Sequence, residues 1–306
     1  LSLRRRQRQM CIRDRVHIRI ERWLDEEAVE EAALGEPSLL VFTDLGSGSL
    51  DLLTEKLKNQ RVIILDHHPP LGEAPPNFLH LNPHLHGVDG SRDLSGAGVS
   101  YLVAKAMSPM NVDLASIAIV GSLGDLQDKY ERRSLGGLNR LIVEDAVQAG
   151  YVQVEVDLLL FGRETRPIHK ALARTTNPYI PGISGEEDRA LAFLTKLGIP
   201  PKHGDRWRTL RDLSEEEKRR LYSALADHLA SEGFPKDTAL NLIGHAYTLT
   251  REEAWTPLHD AREFAVLLNA TGRMGRHGLG VAICMGARGP ILPVAFSRTA
   301  NSRASW

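Results

Sequence analysis

Arg61-Val62-Ile63-Ile64-Leu65-Asp66-His67-His68-Pro69-Pro70 decides the reading of this chain. The short apolar run, closed by two prolines, predicts a strand buried on both faces. It stops at a carboxylate and two adjacent imidazoles, which have little structural use at a buried position. Upstream, Leu39-Leu40-Val41-Phe42 is a second such run, ending at Thr43-Asp44 before the turn Gly46-Ser47-Gly48. A third apolar stretch, residues 114–120, stops at Gly121-Ser122-Leu123-Gly124-Asp125. Residues 16–20 alternate like a strand. Helices are expected over 25–33, over 50–57, and from Ser95-Gly96-Ala97-Gly98 through Met107. Buried strands alternating with helices predict an α/β fold around a parallel sheet.

Parallel strands open their C-terminal ends onto one edge, where ligands bind. Asp44, Asp66 and Asp125, with His67 and His68, are therefore expected to meet in one crevice. Such a concentration of negative charge is disfavoured unless a divalent cation offsets it. Oxygen mixed with imidazole nitrogen suits manganese, magnesium or zinc, and the absence of thiolates argues against a structural zinc. Two such ions close together can activate water and clamp a phosphoryl group. A single aspartate after a strand is more often a cap or turn former, and Asp44 alone would be read that way. Two histidines can also be a plain surface loop. The clustering after buried strands carries the functional reading.

The chain has 306 residues, 42% of them apolar and 25% charged, which fits about two globular domains and excludes disorder, collagen and coiled coil. Two cysteines, Cys11 and Cys284, cannot build a disulfide framework, so a reducing, cytoplasmic compartment is expected. No uncharged apolar run reaches the length of a membrane span. The net charge of −1 hides an asymmetry: residues 1–15 hold six Arg and one Asp, leaving 32 bases against 38 acids, net −6, in the remainder. That basic stretch lacks the pattern of a signal or transit peptide. Met10-Cys11-Ile12-Arg13-Asp14-Arg15 has the form of a mistranslated sequencing adapter, so residues 1–15 are read as adapter-derived, with native sequence starting near Val16.

The motifs together resemble those of the DHH phosphoesterases, and most closely the archaeal RecJ-like single-strand exonucleases. The matching residues are Asp44 in Phe-Thr-Asp-Leu-Gly-Ser-Gly, Asp66-His67-His68, Asn82-Pro83, Ser95-Gly96-Ala97-Gly98 and Gly124-Asp125. Similarity extends through Phe161-Gly162-Arg163-Glu164-Thr165-Arg166-Pro167 and Leu267-Leu268-Asn269-Ala270-Thr271-Gly272-Arg273. The resemblance implies a parallel-sheet DHH domain over 16–176 with flanking helices. It also implies a helical linker over 177–245 and a partial, smaller α/β DHH-associated domain over 246–306, incomplete or unreliable after 286. It implies that Asp44 bridges two metal ions, Mn2+ or Mg2+, and that His67 and Asp125 complete the shell of the second. Asp66 would orient the histidines, and His68 would face the scissile phosphate. Asn269, Gly272, Arg273, Gly275 and Arg276 would grip the substrate.

The implied activity is two-metal hydrolysis of single-stranded DNA or RNA from one end, in replication or repair, with a GINS-type replisome partner. Two alternatives stay open: a phosphoesterase for oligoribonucleotides or small nucleotides, and a non-catalytic replisome scaffold. One departure stands out. The family's first Asp-x-Asp strand has no counterpart upstream of Val16, so the chain as written is expected to be a fragment of impaired activity.

The second half is less explicit. Asn177-Pro178-Tyr179-Ile180-Pro181-Gly182 reads as a linker, and 186–197 and 214–232 as helices, the latter opened by a Ser214/Glu217 capping box. A helix or strand is expected from Thr256-Pro257 to Asn269, a Gly-rich basic loop over 271–280, and a strand over 281–285. Arg163, Arg166, His169 and Lys170 read as a solvated helix start, with contact to a nucleic-acid backbone as the sharper alternative, and Trp207 and Trp255 as core, with base stacking as the alternative. The stretch 287–306 loses its hydrophobic pattern. No P-loop, nucleophile elbow, dinucleotide fingerprint or internal repeat occurs.

Overall fold

A computed structural model describes residues 16–130 and 132–289. The expectations for residues 1–15 and for the segment beyond 289 lie outside the described residues. The chain divides into two units, one formed by 16–107 with 266–289 and the other by 108–265.

The first unit opens with residues 16–20 outside any strand, then helix α1, Glu26–Ala33, capped by the Asp25 side chain accepting from the Ala28 amide at 2.9 Å. Strand β1 (Leu40–Thr43), helix α2 (Leu50–Lys56), strand β2 (Val62–Leu65) and strand β3 (Phe78–Leu81) follow. The three strands pair in parallel in the order β1-β2-β3, with Thr43, Leu65 and Leu81 in register. Phe42, Val62, Ile64 and Phe78 bury one sheet face against Val29 of α1 and Leu50 and Leu53 of α2, forming this unit's core. The register sets the site: Asp44, Asp66 and Asn82 each directly follow a strand end in the same row. Helix α3, Gly96–Met107, packs on β1 and β2.

The expected third strand over 114–120 is instead helix α4, Ala115–Gly124. Seven of its ten residues, Ser116 and Ser122 among them, are buried. A helix covered nearly all round shows no amphipathic period, so its apolar run cannot be told from a buried strand. The strand that completes the sheet is β3, whose four residues escape notice because they are short and interrupted by His80.

In the second unit α4 packs on α5, Asn139–Gln148. Strand β4, Val152–Leu158, leads to helix α6, Ile168–Arg174, and helix α7, Glu187–Lys196. Ile180, from the stretch expected to be a linker, is buried with Ile183, Leu172 and Leu194, so that stretch is packed chain. A small hairpin, β5 (Lys202–His203) with β6 (Arg206–Trp207), precedes helix α8, Glu215–Ser231. The α8 capping box is formed as expected: Ser214 Oγ accepts from the Glu217 amide and Glu217 accepts from the Ser214 amide. Strand β7, Ile243–Leu249, pairs antiparallel with β4. Helix α9, Ala261–Arg273, begins in the second unit and ends in the first, to which helix α10, His277–Cys284, belongs; the two replace the expected Gly-rich loop and strand. No described helix is long and apolar enough to cross a membrane.

Candidate metal centre

Four of the expected residues converge. One ligand atom each from Asp44, Asp66, His67 and His68 lies within 4.8 Å of the other three. The sequence between them explains the convergence. Asp44 has φ +65°, the left-handed region that aspartate tolerates, and its amide donates to the Leu65 carbonyl at 2.9 Å. The chain leaves β1 at that bend, and Gly46, at φ +115°, sets the turn that follows.

Asp66 is fully buried and organises the loops. Its Oδ2 accepts from the Ser47 amide at 2.9 Å, tying down the turn after β1. Its Oδ1 accepts from the His67 amide at 2.7 Å, the His68 amide at 3.3 Å and His68 Nδ1 at 2.8 Å. Burial alone would raise this carboxyl. The hydrogen bonds from the His68 ring and the three amides outweigh it and hold Asp66 below the ordinary range, so it stays ionised. Asn82 completes the clamp from the end of β3, its Nδ2 donating to Ser47 Oγ and to the His68 carbonyl, both at 2.8 Å. Ser47 Oγ also contacts His80 Nε2 at 2.8 Å, and burial lowers the His80 pKa so that its ring is neutral near pH 7.

His67 carries the strongest chemical signal. Its Nδ1 lies 2.7 Å from the Gly90 carbonyl, which can only accept, so Nδ1 holds the proton. Nε2 faces Asp44 Oδ1 at 3.1 Å. In the neutral ring two acceptors then oppose each other, an arrangement that calls for a proton or a cation between them. A metal-ligating histidine has this same pattern, one nitrogen on the ion and the other donating to a backbone carbonyl. The Asp44 side chain is 64% exposed, so the pair is open to solvent. His68 donates its Nδ1 proton to Asp66, leaving Nε2 on a half-exposed ring. The donor set of carboxylate oxygen and imidazole nitrogen fits a divalent ion such as Mn2+ or Mg2+.

Two glycines shape the centre. A Cβ at Gly96 would sit 2.2 Å from Asp44 Oδ1, and one at Gly90 would sit 1.9 Å from the His67 carbonyl oxygen. Residues at which the backbone must pass this close to a site admit only glycine.

The remaining expected residues are not part of this group of four. Asp125 is the C-cap of α4 in the second unit, where its carboxylate accepts from Gln127 Nε2 at 2.9 Å. Asn269, Gly272 and Arg273 lie within α9, Gly275 turns the chain at φ +66°, and Arg276 caps α10. Only 274–276 separate the two helices, because the apolar residues 279–284 continue helically. The cluster read as a solvated helix start is partly interior: Arg163 and His169 are buried, Arg163 binding Asp157 at 2.6 Å. Trp207 and Trp255, expected in the core, are 38% and 54% exposed. Sequence reasoning gave no role to Ser47, the Gly90 carbonyl or the Asn82 side chain. Of these only Asn82 was marked, by its place in a motif.

Residues 160–243 match the family model of the DHH-CID domain. Together with the Asp66-His67-His68 element at the end of β2, that match supports a DHH-family relationship for the chain. Uncharacterized protein MJ0831 of Methanocaldococcus jannaschii is 34% identical over 276 residues, covering 88% of this chain and 57% of the relative. CDC45 from Entamoeba histolytica has a similar fold, with a TM-score of 0.63 at 14% identity over 90% of this chain and 60% of that one. RecJ from Thermus thermophilus, solved in complex with Mn2+, aligns at a TM-score of 0.42 and 19% identity, covering 91% of this chain and 29% of that one. The chain therefore spans less than two thirds of the proteins it matches.

Proposed function

We propose that this chain is part of a metal-dependent phosphodiester hydrolase, a RecJ-like exonuclease acting on single-stranded DNA or RNA. The observation that carries the reading is the His67 geometry: Nδ1 committed to Gly90 and Nε2 opposed to Asp44 Oδ1 at 3.1 Å. His67 Nε2 and Asp44 would hold a Mn2+ or Mg2+ ion, which when bound neutralises phosphodiester charge and lowers the pKa of water.

The chain's own residues have separable tasks. Asp66 spends its oxygens on four protein donors, so its work is orientation: it fixes the His68 ring and the backbone that carries both histidines. The His68 side chain is half-exposed, and its Nε2, when protonated, would donate a hydrogen bond to a phosphate oxygen or give a proton to the leaving oxygen. Asn82 and Ser47 keep the loops after all three strands in one arrangement, so donors and acceptors are in place before substrate arrives. The retained Asp44, Asp66, His67 and His68 favour catalysis over a purely scaffolding role in replication.

The test is release of nucleotides from end-labelled single strands in Mn2+, using the protein at the length of its relative. Substrates of graded length separate an exonuclease from a small-nucleotide phosphoesterase. Asp44→Asn and His67→Ala should each abolish turnover, and unchanged rates in both would refute the assignment.

A further inference from the structure

Two exposed tryptophans stand on the second unit, each joined to cationic side chains. Trp207 ends the β5–β6 hairpin, and its strand partner is Lys202, whose ammonium lies 4.5 Å from the indole centroid. The buried His169 ring packs against the same indole, centroids 4.5 Å apart. Residue 206 precedes 207 and so projects to the hairpin's other face. There the Arg206 guanidinium lies 5.6 Å from the Trp255 ring centre and that of Arg211 5.0 Å. The hairpin thus carries an indole on one face and reaches a second indole from the other.

Trp255 is held in place at a cost. Its φ of +58° is a left-handed conformation, strained for a bulky side chain. Its amide donates to the buried Glu164 carboxylate at 2.7 Å, and that carboxylate also binds Arg211. A strained backbone fixed by a buried acid, presenting a half-exposed indole, is a preorganised contact rather than leftover surface.

We propose that Trp207 and Trp255, set on the two sides of the β5–β6 hairpin, are stacking contacts for a single-stranded nucleic acid, built from residues that take no part in the metal centre. The alternative occupant is an acidic peptide, and the charge arrangement argues against it. Arg206 pairs with Asp212 at 2.9 Å and Arg211 with Glu164, so both guanidiniums are largely neutralised within the protein. Among the described residues Lys202 has no carboxylate partner, which leaves little free charge for an acidic chain. What the two indoles offer is π surface with a modest cationic margin. Bases use this through stacking, and one or two phosphates satisfy the margin.

This inference extends the nuclease reading by naming a second strand contact, but its test is independent of catalysis. Quenching of tryptophan emission by oligo(dT) is measured with EDTA present, so that nothing is cleaved. Trp207→Ala and Trp255→Ala should each weaken binding by about 5- to 100-fold, the range for loss of one base–aromatic stack. Trp207→Phe and Trp255→Phe should retain most of the affinity. With one or two phosphates engaged, affinity should fall with a logarithmic salt slope of only about −1. All four variants should bind Mn2+ as the parent does, which separates failure here from failure of the metal centre. The proposal is overturned if both alanine variants bind oligo(dT) like the parent. It is equally overturned if polyglutamate quenches the indoles and oligo(dT) does not.

Discussion

Asp66→Asn removes the charge of the buried clamp while keeping its shape. The carboxylate accepts three hydrogen bonds at Oδ1 and one at Oδ2, whereas an amide presents a single oxygen. With that oxygen in the Oδ1 position, the new NH2 opposes the Ser47 N–H. A buried amide left without an acceptor costs about 1–3 kcal/mol. The three bonds that remain change from charge-assisted to neutral, a loss of about 1 kcal/mol each. Relief from burying a charge offsets part of this sum. The net destabilisation is about 2–4 kcal/mol, with the large and opposed terms setting the width of that range. Native-state hydrogen exchange at the Ser47 and His67 amides is the assay, because it reads this clamp without requiring the two units to unfold together. At 1.36 kcal/mol per decade, exchange should accelerate by about 30- to 1000-fold. Acceleration of less than about fivefold at both amides would refute the argument that Asp66 holds the loops through its charge.

Gly96→Ala places a methyl group 2.2 Å from Asp44 Oδ1 and should push that carboxylate away from His67. Mn2+ affinity, read by calorimetry, should fall by about 10-fold or more, as it does for other disturbances just outside a metal's ligand set. Glu263 supplies a pH dependence in the second unit. Burial, with Asp260 and Glu164 nearby, pushes its carboxyl up to about 7, even though it accepts from Thr165 Oγ1. The folded state therefore binds a proton that the unfolded chain has already released, so this group's contribution declines as pH rises from about 4.5 to about 7 and is flat above. Urea midpoints compared at pH 5 and pH 8 should show the decline, and Glu263→Gln should reduce it. Asp66 acts in the opposite sense: its lowered pKa gives stability that is present above the unfolded aspartate value and lost at lower pH.

The first half of the site was legible because Asp44 and Asp66 each end a short apolar run of strand length, although β1 is not interior as expected, Val41 being exposed. In a parallel sheet that position alone fixes where they point. Asp125 was misplaced in its element because α4 is buried nearly all round, so its sequence lacks the helical period. The second half of the site was illegible for another reason. The Gly90 carbonyl and the Ser47 amide act through the backbone, so residue identity gives no sign of them. The tryptophans were misjudged by composition: an indole is usually core, and only the short hairpin and the left-handed turn at 255 bring them to the surface.

The central claim is that His67, oriented by Gly90, gives Nε2 to a divalent ion beside Asp44. Pulsed electron paramagnetic resonance on the Mn2+-loaded chain reads imidazole nitrogen bound to manganese directly. The account predicts nitrogen-14 modulation that disappears in His67→Ala while the fold, followed by circular dichroism, is retained. Absence of that modulation at stoichiometric Mn2+, or its undiminished persistence in His67→Ala, would contradict it.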